Sequence, residues 1–119
     1  MKNYKKLIKI IQNNLSEDLL KPQFKGKSKN RFYGHCYVAT ECLYHLLPTH
    51  VKSSYKPNIL KIEGITHWFL KNKDTGEILD ITSKQFPFKL DYSKSKGCGF
   101  LTKKPSKRTK ILISRLSIS

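Results

Sequence analysis

The chain has 119 residues, with 24 Lys and Arg against 8 Asp and Glu, a formal net charge of +16. That length holds one domain with one modest core and excludes a second functional unit. The charge points to an anionic partner: an acidic or modified protein, a nucleotide, a nucleic acid or an anionic surface. Lysines kept only for solubility, in a chain encoded by an AT-rich genome, would give the same balance. Cys36, Cys42 and Cys98 form no CxxC pair, which argues against a disulfide scaffold or zinc ribbon and fits a reducing, cytoplasmic setting. No apolar run approaches the ~20 residues that span a bilayer. "LIKII" is not followed by a signal-peptide cleavage site, so neither a membrane nor an exported location is expected.

In chain order, residues 4–20 place Leu7, Ile10, Ile11 and Leu15 at helical spacing among lysines. This predicts a basic amphipathic helix ended before Pro22. Residues 21–32 read as basic loop. Over residues 37–47 the apolar positions Val38, Ala39, Cys42, Leu43, Leu46 and Leu47 recur at i, i+3/i+4. They predict a largely buried helix that opens at Cys36 and is closed by Pro48. After a loop around "SSYKPN", residues 59–70 read as one long strand or as two broken at Gly64. "NKDTGE" is a hairpin turn and "ILDIT" the returning strand. "QFPFKLDYSKSKGCGF" is irregular. "KPSKRTKILISRL" predicts a helix opening at Pro105-Ser106, with Ile111, Leu112 and Leu116 inward.

This order predicts a single α+β domain over residues 1–119. A basic helix (1–20) precedes a core (33–85), a Gly- and aromatic-rich loop (86–102) and a second basic helix (103–119).

Cys36, His67 and Asp80 carry the candidate chemistry. A cysteine at a helix N-terminus, with an imidazole beside it, is set up to be a nucleophile. The first-turn N–H groups there can receive an oxyanion. His67 in "THWFL" and Asp80 in "ILDIT" lie on two strands joined by the "NKDTGE" turn, which sets them about opposite each other within one residue of register. Asp80 falls between Leu79 and Ile81, and a carboxylate among core residues needs a partner. This is the order of nucleophile, base and orienting group in a triad. Cys42, inside the helix, reads as a small core residue.

A Cys opening a helix, a His-Trp on a strand and an Asp-hydrophobic-Thr on the next resemble the transglutaminase-like branch of the papain-like fold, over about residues 33–85. "GHCYVATECLYHLL", "THWFL", "ILDITSKQF" and "GCGFLTKKPSKR" also resemble a small uncharacterised protein family of phages and bacteria, to about residue 108. The resemblance implies a central Cys-bearing helix packed on a small antiparallel sheet that carries His and Asp. It also implies an acyl-enzyme route with Cys36 as nucleophile, His67 as base and then acid, and Asp80 as its orienter, without a cofactor. A phage-type origin implies host takeover or interference with a host defence, in the host cytoplasm.

Around this triad, Tyr33, His35, Trp68 and Gln85 are candidate substrate contacts. His35 alternatively bonds its own loop, and Gln85 caps one. Cys98, flanked by Gly97 and Gly99, either lines the pocket, is itself the reactive thiol, or serves a metal; no His/Cys spacing matches a known structural metal site. Lys107 and Arg108 open the last helix, where a helix N-terminus and cations favour an anion; an ordinary Ser-capped basic helix reads the same way. The leading expectation is a cysteine hydrolase or acyltransferase acting on an amide or isopeptide-type bond in an anionic substrate. The alternative is a non-enzymatic basic protein that binds nucleic acid or nucleotide, with "NRFYGH" and "FPFKLDYSKSK" stacking bases. A third is a protein that sequesters a phosphorylated small ligand.

Overall fold

A computed structural model of the chain describes residues 4–16, 19, 35–62, 64–83, 86, 88–100 and 104–116. Helix α1 spans Lys5–Asn13 and is shorter than the expected 4–20. Asn14 ends it by donating Nδ2 to the Ile10 carbonyl at 2.9 Å, a local bond that competes with another helical turn. Helix α2 spans Cys36–Leu46, opening at the expected cysteine. Beyond Pro48, whose carbonyl accepts the Val51 and Lys52 N–H groups, a short helix α3 spans Thr49–Lys52, ahead of the expected loop around "SSYKPN".

The apolar run at 59–70 resolves into the two-strand alternative. Strand β1 (Tyr55–Ile62) and strand β2 (Ile65–Asn72) pair antiparallel about Gly64, which holds φ 82°. β1 therefore begins at Tyr55, ahead of the expected start, and contains Pro57. The strand tolerates that proline because the Pro57 backbone faces away from β2, and its carbonyl accepts the Cys98 N–H at 2.9 Å. At the next turn Asn72 Oδ1 accepts the N–H groups of Asp74 and Thr75 at 2.8 and 3.1 Å, and Gly76 supplies φ 78°.

Strand β3 is only Ile78–Leu79, paired as Leu70↔Leu79 and Lys71↔Ile78. "ILDIT" does not continue as a strand because Asp80 turns its Oδ1 onto the Thr82 N–H at 3.2 Å, bending the chain out of the ladder. Strand β4 (Lys96–Gly97) pairs with β1, giving a four-stranded antiparallel sheet in the order β3-β2-β1-β4. Helix α4 (Lys107–Arg115) is N-capped by Ser106, whose side chain accepts the Thr109 N–H.

The result is an α+β domain with a core on each face of the sheet. Ile11, Val38, Leu43, Leu70, Ile81 and Leu112 belong to the larger core, under the helices. Leu60, Phe69 and Leu90 form the smaller one, joined by Phe86 and Tyr92 from the segment after Asp80. On α4 the buried stripe is Thr109 and Leu112, continued by Leu116 at its C-cap, while Ile111 is 38% exposed rather than inward. One residue, about 100° of helical rotation, separates it from that stripe. Among the described residues, no helix is long and apolar enough to cross a membrane.

Candidate active site

The short β3 strand creates the site. Along β2, alternate residues turn their backbone groups away from β1. On that side the Asn72 N–H reaches the Glu77 carbonyl at 2.9 Å, and Leu70 pairs with Leu79. Beyond Leu79 no strand continues, so the next carbonyls in the row, those of Trp68 and Thr66, need other donors. Helix α2 supplies them: Thr40 Oγ1 donates to the Trp68 carbonyl at 3.0 Å, and Cys36 Sγ to the Thr66 carbonyl at 3.6 Å. The first residue of α2 is thereby seated beside β2 one position before His67.

His67 is fully buried. Its Nε2 lies 2.7 Å from Asp80 Oδ2, with the two side chains 0% and 4% exposed. Because β3 and β2 are in register at Leu70↔Leu79, Asp80 falls across from Phe69, and the bond to His67 is a same-face diagonal rather than a directly opposed pair. The imidazole stacks near Phe69 (centroids 6.1 Å) and meets Phe86 edge-on at 5.0 Å. Asp80 is held by further donors: the Tyr92 hydroxyl reaches Oδ2 at 2.7 Å and the Thr82 N–H reaches Oδ1.

The electrostatics follow from this packing. Burial, the largest influence on His67, disfavours the imidazolium. The Asp80 carboxylate, by its hydrogen bond and its charge, together with the nearby Cys36, outweighs it, and the pKa is pushed up from 6.5 to about 9. Cys36 is close enough to act on the imidazole in this way, yet its S–H is directed at the Thr66 carbonyl. His67 Nδ1 is buried without a hydrogen-bond partner among the described residues. Cys42 differs: burial and then Glu41 push its thiol up to about 12, which suits an inert core residue.

The remaining candidate residues are dispersed. His35 immediately precedes α2, is 3% exposed, and gives its carbonyl to the Ala39 N–H. Trp68, one residue along β2 from His67, turns to the other face and packs edge-on against Tyr37 at 4.7 Å and parallel to Phe100 at 6.0 Å. Cys98 lies beyond β4 at the opposite edge of the sheet from β3, with Sγ 3.7 Å from the Pro57 carbonyl. Burial raises its pKa, against the pull of Lys56. The fold thus brings Cys36, His67 and Asp80 together and separates Cys98 from them. Tyr33 and Gln85 lie outside the described residues.

The N-terminus of α4 already holds an anion from within the chain. Fully buried Glu41, on α2, accepts the Ser106 N–H at 2.9 Å and the Thr109 hydroxyl at 2.6 Å through Oε1, and the Tyr37 hydroxyl at 3.2 Å through Oε2. Arg108 is half-buried, donating Nη1 to the Leu19 carbonyl at 2.9 Å, while Lys107 stays exposed. Burial lowers the Arg108 pKa against the opposing charge of Glu41.

Sequence reasoning missed Glu41, Phe86 and Tyr92. An acidic residue on the buried side of an apolar helix was a signal for Glu41, since such a group requires partners. No local pattern marks Tyr92, which reaches Asp80 from an irregular segment. Among the described residues, no group of three or more His, Cys, Asp or Glu side chains could hold a metal ion. No family model, curated protein or solved structure matches the chain.

Proposed function

We propose that the protein is a cysteine-dependent hydrolase or acyltransferase with a papain-like, transglutaminase-like core, acting on amide or isopeptide-type bonds through Cys36, His67 and Asp80. The observation that carries this reading is the arrangement of one buried imidazole. Nε2 is bound to Asp80 at 2.7 Å, Nδ1 has no partner among the described residues, and the Cys36 thiol acts on the same ring from the first residue of α2.

In the first half-reaction, the Cys36 thiolate attacks the carbonyl carbon of the substrate. The oxyanion is received by N–H groups at the start of α2, because the first turn of a helix has no intrahelical acceptors for them. His67 gives its Nδ1 proton to the departing amine nitrogen as the C–N bond breaks, leaving a thioester on Cys36. Neutral Nδ1 then takes a proton from water or an acceptor amine. That nucleophile attacks the thioester and releases the thiolate. Asp80 keeps Nε2–H in place throughout, so Nδ1 is the nitrogen that exchanges protons.

An anionic substrate or partner suits the surface. Helix α1 carries Lys5, Lys6 and Lys9, helix α4 carries Lys107, Arg108, Lys110 and Arg115, and neither has an acidic residue. A host molecule met in the cytoplasm is the setting this reading implies. The rival base-stacking role is weakened by the engagement of Phe86 with His67 and of Tyr92 with Asp80, although Phe88 is 46% exposed.

The test is competitive labelling by iodoacetamide, followed by peptide mapping. Cys36 should react at least ~10-fold faster than Cys98, and His67→Ala should remove that advantage. Labelling confined to Cys98, or a Cys36 rate indifferent to His67→Ala, would overturn the assignment.

A further inference from the structure

We propose that Tyr92 is a positioning residue of this site: its hydroxyl fixes the Asp80 carboxylate and draws charge from the oxygen that His67 uses, setting how strongly the imidazole holds its proton. The inference rests on the catalytic reading above. Its physical basis is the sharing of one acceptor. Tyr92 Oη and His67 Nε2 both lie 2.7 Å from Asp80 Oδ2. A hydroxyl donated to a carboxylate stabilises its charge, leaving less of it to stabilise an imidazolium on the same oxygen.

The fold holds Tyr92 there through both of its flanks. Phe86, Leu90 and Tyr92 pack with Phe69 and Leu60 on one face of the sheet, and the Tyr92 ring meets Phe69 edge-on at 4.9 Å. A 3-10 turn over Tyr92–Lys94 opens with Asp91 accepting the Ser93 N–H at 3.1 Å. Ser95 closes it, bonding the Tyr92 carbonyl at 2.8 Å and Asn58 of β1 at 3.4 Å, and β4 follows at once. Tyr92 is thus anchored to β1 while its hydroxyl reaches Asp80 beside β2. Among the described residues, the titratable groups acting on His67 are Asp80 and Cys36, and the one acting on Tyr92 is Asp80. Burial and that carboxylate raise the Tyr92 pKa, so the phenol stays a donor across the working range.

The experiment follows the His67 imidazole by NMR in the full chain, as wild type, Tyr92→Phe, Asp80→Asn and the double variant. Tyr92→Phe keeps the ring against Phe69 and removes only the donor. The His67 midpoint should rise by about half a unit to one unit, and the pH profile of Cys36 alkylation should move the same way. With Asp80→Asn the added effect of Tyr92→Phe should largely vanish. Should Tyr92→Phe fail to fold, 3-fluorotyrosine at position 92 retains the hydroxyl as a stronger donor and should move the midpoint down. A packing role would not reverse sign in this manner. An unmoved midpoint, or equal shifts with and without the Asp80 carboxylate, overturns the role of Tyr92. If the midpoint moves as expected while Cys36 alkylation ignores His67→Ala, the role in positioning Asp80 stands and the catalytic reading falls.

Discussion

At the scale of single residues, the His67–Asp80 pair makes stability depend on pH in a definite direction. The imidazole binds its proton more tightly in the native state, with a pKa of about 9 against 6.5. Its contribution is therefore complete below about pH 6.5 and is lost as the pH rises through about 9. Urea unfolding of wild type and His67→Gln at about pH 6 and about pH 10 should show the wild-type advantage shrinking, by a few kcal/mol at most. A margin that grows with pH would mean that the imidazole is neutral in the native state. Residue identity alone carried much of this. Cys36 was legible because Pro48 and the apolar spacing fixed a helix opening near it, and Asp80 because a carboxylate between Leu79 and Ile81 demands a partner. Tyr92 was not legible, since it arrives through a turn and a two-residue strand whose pairing is set by tertiary contacts.

At the scale of elements, two substitutes for missing strand define the site. Thr40 and Cys36 stand in for β3 along β2, and the Asp80–Thr82 turn ends β3 early enough to let them. The sequence pattern foresaw a strand through "ILDIT", and period-2 alternation cannot detect an aspartate that bonds its own backbone two residues on. The second joint is Glu41, which ties α2 to the N-terminus of α4. Glu41→Ala would leave the buried Thr109 hydroxyl and the Ser106 N–H without their acceptor, and should destabilise the domain by about 2–3 kcal/mol in urea unfolding. A loss under about 0.5 kcal/mol, the range of ordinary surface substitutions, would mean that α4 docks by apolar packing alone. This joint also explains why the helix-terminal anion site read from "KKPSKR" is filled from within: the basic flank was visible locally, while its partner lies 65 positions away.

At the scale of the molecule, a net charge of +16 sits on a frame in which the buried acids among the described residues, Glu41 and Asp80, are both engaged internally. The outer faces of α1 and α4 are left to lysine. Binding to a polyanion such as heparin should weaken steeply with salt, and Lys107→Glu with Lys110→Glu should lower the slope by about one for each anionic group the variant no longer neutralises. An unchanged slope would place the anion-binding surface elsewhere. In the proposed mechanism Cys36, His67 and Asp80 act as one unit. The most direct measurement is the rate at which p-nitrophenyl acetate acylates Cys36 in wild type, His67→Ala, Asp80→Asn and the double variant. His67→Ala should lose roughly 100-fold or more and Asp80→Asn less, and the double variant should be no slower than His67→Ala alone. Equal rates in wild type and His67→Ala, or losses that simply multiply in the double variant, would contradict that mechanism.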